Sequence, residues 1–417
     1  MHFLNARLIP LLLLAVAGAG GWGCAASRAE QEADRGVSAY FAGRPDLAVE
    51  ILEPLSQEPD RNYVLNNLRL GHAALSAGDL ETAERGFYRA YETLNAAGVN
   101  NPARTAATVL FNENVRIWLG EPYERAMANF ELGVVYYLRG DYANARGAFE
   151  NALFKLRRHA DEGDAEGQFA EQESTFALAY VMLGRCWQRL GREDLAEDNF
   201  QRARELDPSL GPLTDPLLHE ASNVLLILEW GVGPEKVPQG SGLVFASAGS
   251  VMLPVPHVSV NGQAAAVSDL AVPTIDTHAM ARQRRWQTTD TFRAIREVTG
   301  TGAMIGGVVV LDQGLKRDHE ETALLGAALI GLGALLNASS TPDLRQWEMV
   351  PRTVYLVPLS LEPGTHDITV RIPDSAGYGE IVHEFRNVPV EPYGETALWA
   401  RLLRPYGGVT DFAAPAE

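Results

Sequence analysis

A glycine recurs at Gly36, Gly71, Gly133 and Gly184, and each is followed at the same interval by an alanine: Ala48, Ala83, Ala145 and Ala196. A bulky apolar residue comes one helical turn later, at Leu52, Phe87, Phe149 and Phe200. Between them runs a second glycine column, Gly43, Gly78, Gly140 and Gly191. One coincidence would carry little, but four columns repeating together restrict the first half of the chain to recurring helical hairpins. The small residues let two helix axes approach closely, and the large one fills the gap they leave. The second glycine can adopt the positive φ that ends a first helix.

The fullest copy reads Tyr180-x2-Leu183-Gly184-x2-Trp187, followed by Ala196-x3-Phe200, Ala203 and Pro208. This is the tetratricopeptide (TPR) pattern, whose hairpins cannot bury their apolar faces alone and so stack into a solenoid. Asp79, Asp141 and Asp194 suit the positive end of the second helices. Pro208 closes the last repeat. The first repeat carries Glu32 and Arg35 at apolar positions, as a terminal unit with a polar outer face requires. A solenoid of this kind exposes a concave groove. The repeat frame assigns to that groove Leu68, His72 and Leu75, then Phe130, Val134 and Tyr137, then Val181, Arg185 and Gln188. Two occupants are open: a segment of a partner protein, or the C-terminal half and ends of the same chain.

The glycine markers are unevenly spaced. Gly36 and Gly71 lie one repeat apart, whereas the gap to Gly133 leaves room for an extra helix over 105–119, after which Pro122 fits the first turn of the next helix. The surplus before Gly184, 158–167, is charged and reads as a solvated loop. The resulting organisation is a signal peptide at 1–23, a tether at 24–32, the solenoid at 33–208 with its inserted helix, a linker at 209–222 containing a short helix, a β-rich domain at 223–405 and a tail at 406–417.

In the β-rich domain, alternation of period two replaces the helical period. Val258-Ser259-Val260 runs into Asn261-Gly262, the φ > 0 pair of a type I′ hairpin turn. Ile368, Val370 and Ile372 alternate with polar residues. Thr353–Leu361 is expected to pair with that strand through Glu362-Pro363-Gly364-Thr365. Further strands are expected at Val224–Trp230, Phe385–Val390 and Thr396–Leu403. Pro254, Pro256, Pro358 and Pro389 belong at edges or bulges. The fold class is therefore α+β: an all-α TPR solenoid followed by an antiparallel β-rich domain, a small sandwich or a single sheet. A helical insertion at 288–337 interrupts it. Its apolar part, 322–337, is too short to span a bilayer, so it either packs on the sheet or forms a contact surface for membrane or another subunit.

The N-terminus reads as a secretory signal: Arg7, then an apolar run from Leu8 to Gly20, then small residues before Cys24. Gly23-Cys24 resembles a lipobox, in which the cysteine thiol takes a diacylglyceryl group, although Gly21 and Trp22 depart from the usual pattern. A cleaved but unlipidated signal and a retained anchor are the alternatives. Ala25 after the cysteine points to the outer membrane rather than the inner. The chain of 417 residues has two cysteines. With Cys24 acylated, Cys186 has no disulfide partner and is expected as a buried structural thiol. The formal charge of −18 disfavours nucleic acid, which needs a basic face.

Candidate chemistry is sparse. Gly300-Thr301-Gly302-x3-Gly306 lacks the preceding strand that a nucleotide-binding loop needs. His319 has no second histidine at zinc-ligand spacing. Asp276 and His278 form a conceivable acid/base pair, and Ser241 or Ser250 a conceivable nucleophile, but no elbow motif surrounds either serine. No cofactor or metal is expected, and an enzyme is the weaker reading.

Several stretches resemble a family of bacterial TPR lipoproteins of unassigned biochemical role: Gly120-Glu121-Pro122-Tyr123-Glu124-Arg125, Gly140-Asp141-Tyr142, an apolar Gly/Ala/Leu helix, Asp343-Leu344-Arg345-Gln346-Trp347, Val357-Pro358-Leu359 and Pro363-Gly364-Thr365-His366. The resemblance implies a lipid-anchored envelope protein facing the periplasm. Such proteins meet envelope proteins, including other lipoproteins and peptidoglycan-synthesis factors. The expectation is thus a periplasmic scaffold tethered at Cys24, with partners at the groove. The alternative is a structural or oligomeric outer-membrane component that uses the apolar helix 322–337.

Overall fold

A computed structural model describes residues 28–96, 117–154, 176–219, 222–239, 242–246, 253–265, 272–282, 345–374 and 379–404. The signal and Cys24, most of the inserted helix at 105–119, the loop at 158–167, the insertion at 288–337, Ser241, Ser250, His319 and the tail lie outside these residues.

The repeat columns become four hairpins: α1 (Arg28–Phe41) with α2 (Pro45–Gln57), α3 (Tyr63–Ser76) with α4 (Leu80–Ala96), α5 (Pro122–Leu138) with α6 (Tyr142–Phe154), and α7 (Ala177–Arg189) with α8 (Glu193–Leu206). The close helix approach is visible atom by atom. A Cβ placed on Gly36 would sit 2.7 Å from Leu52, on Gly71 2.8 Å from Phe87, on Gly133 2.5 Å from Phe149 and on Gly184 2.6 Å from Phe200. The turn glycines take φ of 72° (Gly43), 77° (Gly78), 72° (Gly140) and 74° (Gly191). Asp79 and Asp141 cap the second helices by accepting from Thr82 N–H and Asn144 N–H. Asp194 instead lies inside its helix and pairs with Arg192. Pro122 opens α5, capped by Glu121 and Glu124 in a reciprocal box. In α1, Glu32 and Arg35 form an exposed pair on the outer face.

Pro208–Leu210 makes a 3-10 turn that leads into α9 (Gly211–His219). Residues 209–222, read from sequence as a linker with a short helix, hold this element, and its Leu213, Thr214 and Leu217 are buried.

The C-terminal half supplies β1 (Val224–Trp230), β2 (Glu235–Gln239), β3 (Gly242–Ala246), β4 (His257–Val260), β5 (Gln263–Ala264), α10 (Thr277–Arg282), β6 (Thr353–Leu359), β7 (Gly364–Pro373), β8 (Glu380–Val390) and β9 (Thr396–Leu402). One sheet has the order β6-β1-β9 and another β5-β4-β7-β8, while β2 and β3 pair as a hairpin. Asn261 and Gly262 have φ of 51° and 77°, the turn expected between β4 and β5.

Two expectations need correction. The domain is not wholly antiparallel: β9 runs parallel to β1, Val224 opposite Thr396 through Trp230 opposite Leu402. The short loop after β8 carries the chain from one sheet to the other, where Asn223 C=O accepts from Thr396 N–H and starts β9 in the direction of β1. Nor do β6 and β7 form a hairpin. β6 pairs with β1, and β7 with β4 and β8. Burial gives the reason. Both β1 and β6 are buried along their full length and belong in an interior layer, whereas β7 alternates and leaves one face to solvent. Pro358 and Pro389 sit on β6 and β8, each at the edge of its sheet.

The result is three layers. Val224, Leu226, Leu228 and Trp230 on one face of β1 pack with Val258, Ile368, Val370 and Phe385 of the outer sheet. Leu225 and Ile227 on its other face join the core of the solenoid. Strand β1 therefore lies between the outer sheet and the concave side of the helices.

Candidate functional site

The groove positions read from the repeat frame face the chain's own C-terminal half. Leu68, His72, Leu75, Phe130, Val134, Tyr137, Val181 and Arg185 are all buried, and Gln188 is half-buried. Of the two occupants left open by the sequence, the one seated here is the same chain. Three groups of contacts hold it.

At one end of the groove, segment 345–350, which ends in a turn closed by Val350 N–H donating to Trp347 C=O at 3.3 Å, lies against α3 and α5. Arg69 pairs with Glu348, with Nε 2.9 Å from Oε2. Trp118 Nε1 donates to Arg345 C=O, and Trp347 N–H donates to Glu124 Oε1 at 2.7 Å. Arg345 reaches back to Arg61 C=O and Asn62 Oδ1. The Trp347 ring stands edge-on to His72 and Phe87, with centroids 5.7 and 6.2 Å away. The Lys236 ammonium is buried 3.1 Å from Glu121 and 3.9 Å from Glu124. Burial pushes the Glu124 carboxyl up, against the pull of Lys236 and the two backbone N–H groups.

At the other end, the side chain of Glu395, which precedes β9, is fully buried between Arg185 Nε at 3.2 Å and Arg189 Nε at 2.6 Å. Tyr137 Oη donates to it at 3.0 Å. Burial and the Glu395 charge raise the Tyr137 phenol well above its ordinary value. Arg185 also donates to Ser222 C=O and Oγ, both at 2.7 Å, and Gln188 Nε2 donates to Leu217 C=O.

In the middle, Glu229 of β1 points into the solenoid. Its Oε2 lies 3.2 Å from His72 Nε2, and both side chains are 0% exposed. Trp399 Nε1 donates to Glu229 Oε1 at 2.9 Å, and Arg401 Nη1 to Oε2 at 3.1 Å. Glu131 of α5 is fully buried beside Glu229, and among the described residues neither of its carboxyl oxygens meets a hydrogen-bond donor. Burial and the facing Glu229 charge push the Glu131 carboxyl well above its usual range. Burial would raise Glu229 too, but His72, Arg401 and Trp399 outweigh it and hold that carboxylate low. Burial lowers His72, against the pull of Glu229. The Tyr40 phenol beside them is pushed up to about 12 by burial.

The repeat frame misses Arg69 and Glu131, although both stand two residues before a glycine marker, on a groove-facing row. A charge in an otherwise apolar stretch was the available signal, and Glu229 inside Val224–Trp230 is another instance. Asp276 and His278 do not form an acid/base pair. Asp276 caps α10 by accepting from His278 and Ala279 N–H, and His278 Nε2 lies 2.9 Å from Val232 C=O. Cys186 is buried, and burial raises its thiol far above the ordinary range. Among the described residues, no cluster of His, Cys, Asp and Glu has metal-ligating geometry, and no helix is long and apolar enough to cross a membrane.

No family model and no curated protein matches the chain. Among solved structures, it is similar to MamA at 16% identity, covering 44% of this chain and 82% of that one with a TM-score of 0.31. MamA AMB-1 gives 21% identity, 46% and 81% coverage and a TM-score of 0.29. BtubC from P. vanneervenii gives 19% identity, 41% and 63% coverage and a TM-score of 0.27.

Proposed function

We propose that the chain is a non-catalytic protein-interaction scaffold of a bacterial envelope, tethered by lipid at Cys24 and facing the periplasm. Its solenoid and sheets act as one platform, and its partners are envelope proteins, among them other lipoproteins and peptidoglycan-synthesis factors. The observation that carries this reading is the way the groove holds segment 345–350, with a tryptophan anchor, an Arg–Glu pair and side chains on its backbone. A groove that holds a peptide segment by an aromatic anchor, an ion pair and side chains on its backbone is built for protein recognition. The buried charges at this junction all serve to join the two halves. The tether rests on the lipobox-like Gly23-Cys24.

Partners therefore meet the outer surfaces of the joined platform, where Tyr393 is 92% and Tyr88 43% exposed. Photo-crosslinkers at Tyr393, Tyr88 and Tyr137 in intact cells test the scaffold. The two exposed positions are expected to capture envelope proteins, and Tyr137 to link only within the chain. Captured partners at Tyr137, or at none of the three, would contradict it. Globomycin tests the tether separately, by whether it blocks processing of the precursor.

A further inference from the structure

Glu131, Glu229 and His72, all 0% exposed, meet Arg401, whose side chain is 5% exposed, brought together by α5, β1, α3 and β9. Tyr40 of α1 also faces them, and Trp399 donates to Glu229. Charge balance limits what this group can be. Arg401 contributes one positive charge, and two ionised carboxylates would contribute two negative ones. An unbalanced charge in such a place is costly. One added proton makes the set neutral, and Glu131 is where it fits, since a fully buried carboxyl that meets no donor and lies beside a second carboxylate cannot hold its charge. His72 Nε2, 3.2 Å from Glu229, is the other seat available.

We propose that Glu131, Glu229 and His72 hold a single exchangeable proton and form a pH-sensitive clasp that fastens the solenoid to the sheet and loosens as pH rises above neutral. The sign follows from counting protons. In the joined state the set holds one. In the separated state the carboxyls titrate near 4.5 and the imidazole near 6.5. Above 6.5 the separated set holds none, so each pH unit favours separation about tenfold. Between 4.5 and 6.5 both states hold one, and the balance is flat. Below 4.5 the separated set takes up two more, and acid loosens the clasp as well. Tyr40 stays protonated through this range. Loosening would expose the facing backbone of α3, α5 and β1 to solvent.

Amide hydrogen exchange in α3, α5 and β1 of the full chain tests the proposal, read between about pH 6.5 and about pH 9 and corrected for intrinsic exchange rates. The opening constant is expected to rise about tenfold per pH unit in the wild type and to stay level in Glu131→Gln, which keeps a hydrogen-bond donor without a titrating proton. A flat wild-type profile, or an equal slope in both proteins, would overturn it. Infrared spectroscopy of the wild type gives an answer even if the variant does not fold. A protonated carboxyl band should persist at neutral pH and fade in alkali, and absence at neutral pH of both that band and an imidazolium band from His72 would overturn the clasp.

Discussion

Inside each hairpin, helix meets helix through apolar contact, a glycine against Leu52, Phe87, Phe149 or Phe200. Across the junction between solenoid and sheet, apolar contacts such as those of Leu225, Ile227, Trp347 and Met349 are joined by buried charge: Arg69 with Glu348, His72 and Arg401 with Glu229, Arg185 and Arg189 with Glu395. The first kind of contact is local and repeats. The second joins residues far apart in sequence and occurs once. Apolar packing tolerates exchange among similar shapes, whereas a buried charge demands its particular partner and is strongly destabilising without it. The hairpins therefore build a generic groove, and the charges make it specific for one occupant.

The largest expected effects set these regions against each other. Phe149→Ala empties the space against Gly133 and should cost about 3–5 kcal/mol in denaturant unfolding. Trp347→Ala, outside every repeat, should cost a similar amount, about 3–5 kcal/mol, and its loss should appear in amide exchange of α3 and α5. If Trp347→Ala leaves those helices unchanged, the junction is not part of the solenoid's core. Gly140→Ala, at a φ of 72°, should cost about 1 kcal/mol, because alanine is strained there although nothing lies within 4 Å. Smallest is the exposed Arg85–Glu81 pair: Glu81→Ala should change stability by less than about 0.5 kcal/mol.

The same contrast explains what the sequence discloses. The glycine, alanine and aromatic columns are local and periodic, so the hairpins, their turns and the groove-facing row could be read directly. The strands at Val224–Trp230 and Thr396–Leu402 and the Asn261-Gly262 turn were legible for the same reason. Which strand lies beside which was not. The turn-like Glu362-Pro363-Gly364-Thr365 suggested a hairpin, but full burial of Thr353–Leu359 placed that strand beside β1. The groove's occupant was hidden as well. Nothing near Arg69 or Glu131 points to Glu348 or Glu229, because such pairings arise only when distant segments pack. A charge interrupting an apolar run marks a buried partner without saying where it is.

The central claim, that the concave face is held by the chain's own C-terminal half, is tested most directly by a double-mutant cycle on Arg185 and Glu395 in the full chain. These groups are 3% and 0% exposed and lie 3.2 Å apart. The account predicts that Arg185→Ala and Glu395→Ala are coupled by about 1.5 kcal/mol or more in unfolding free energy. Additivity within about 0.5 kcal/mol would mean that the two halves do not meet there and would contradict it.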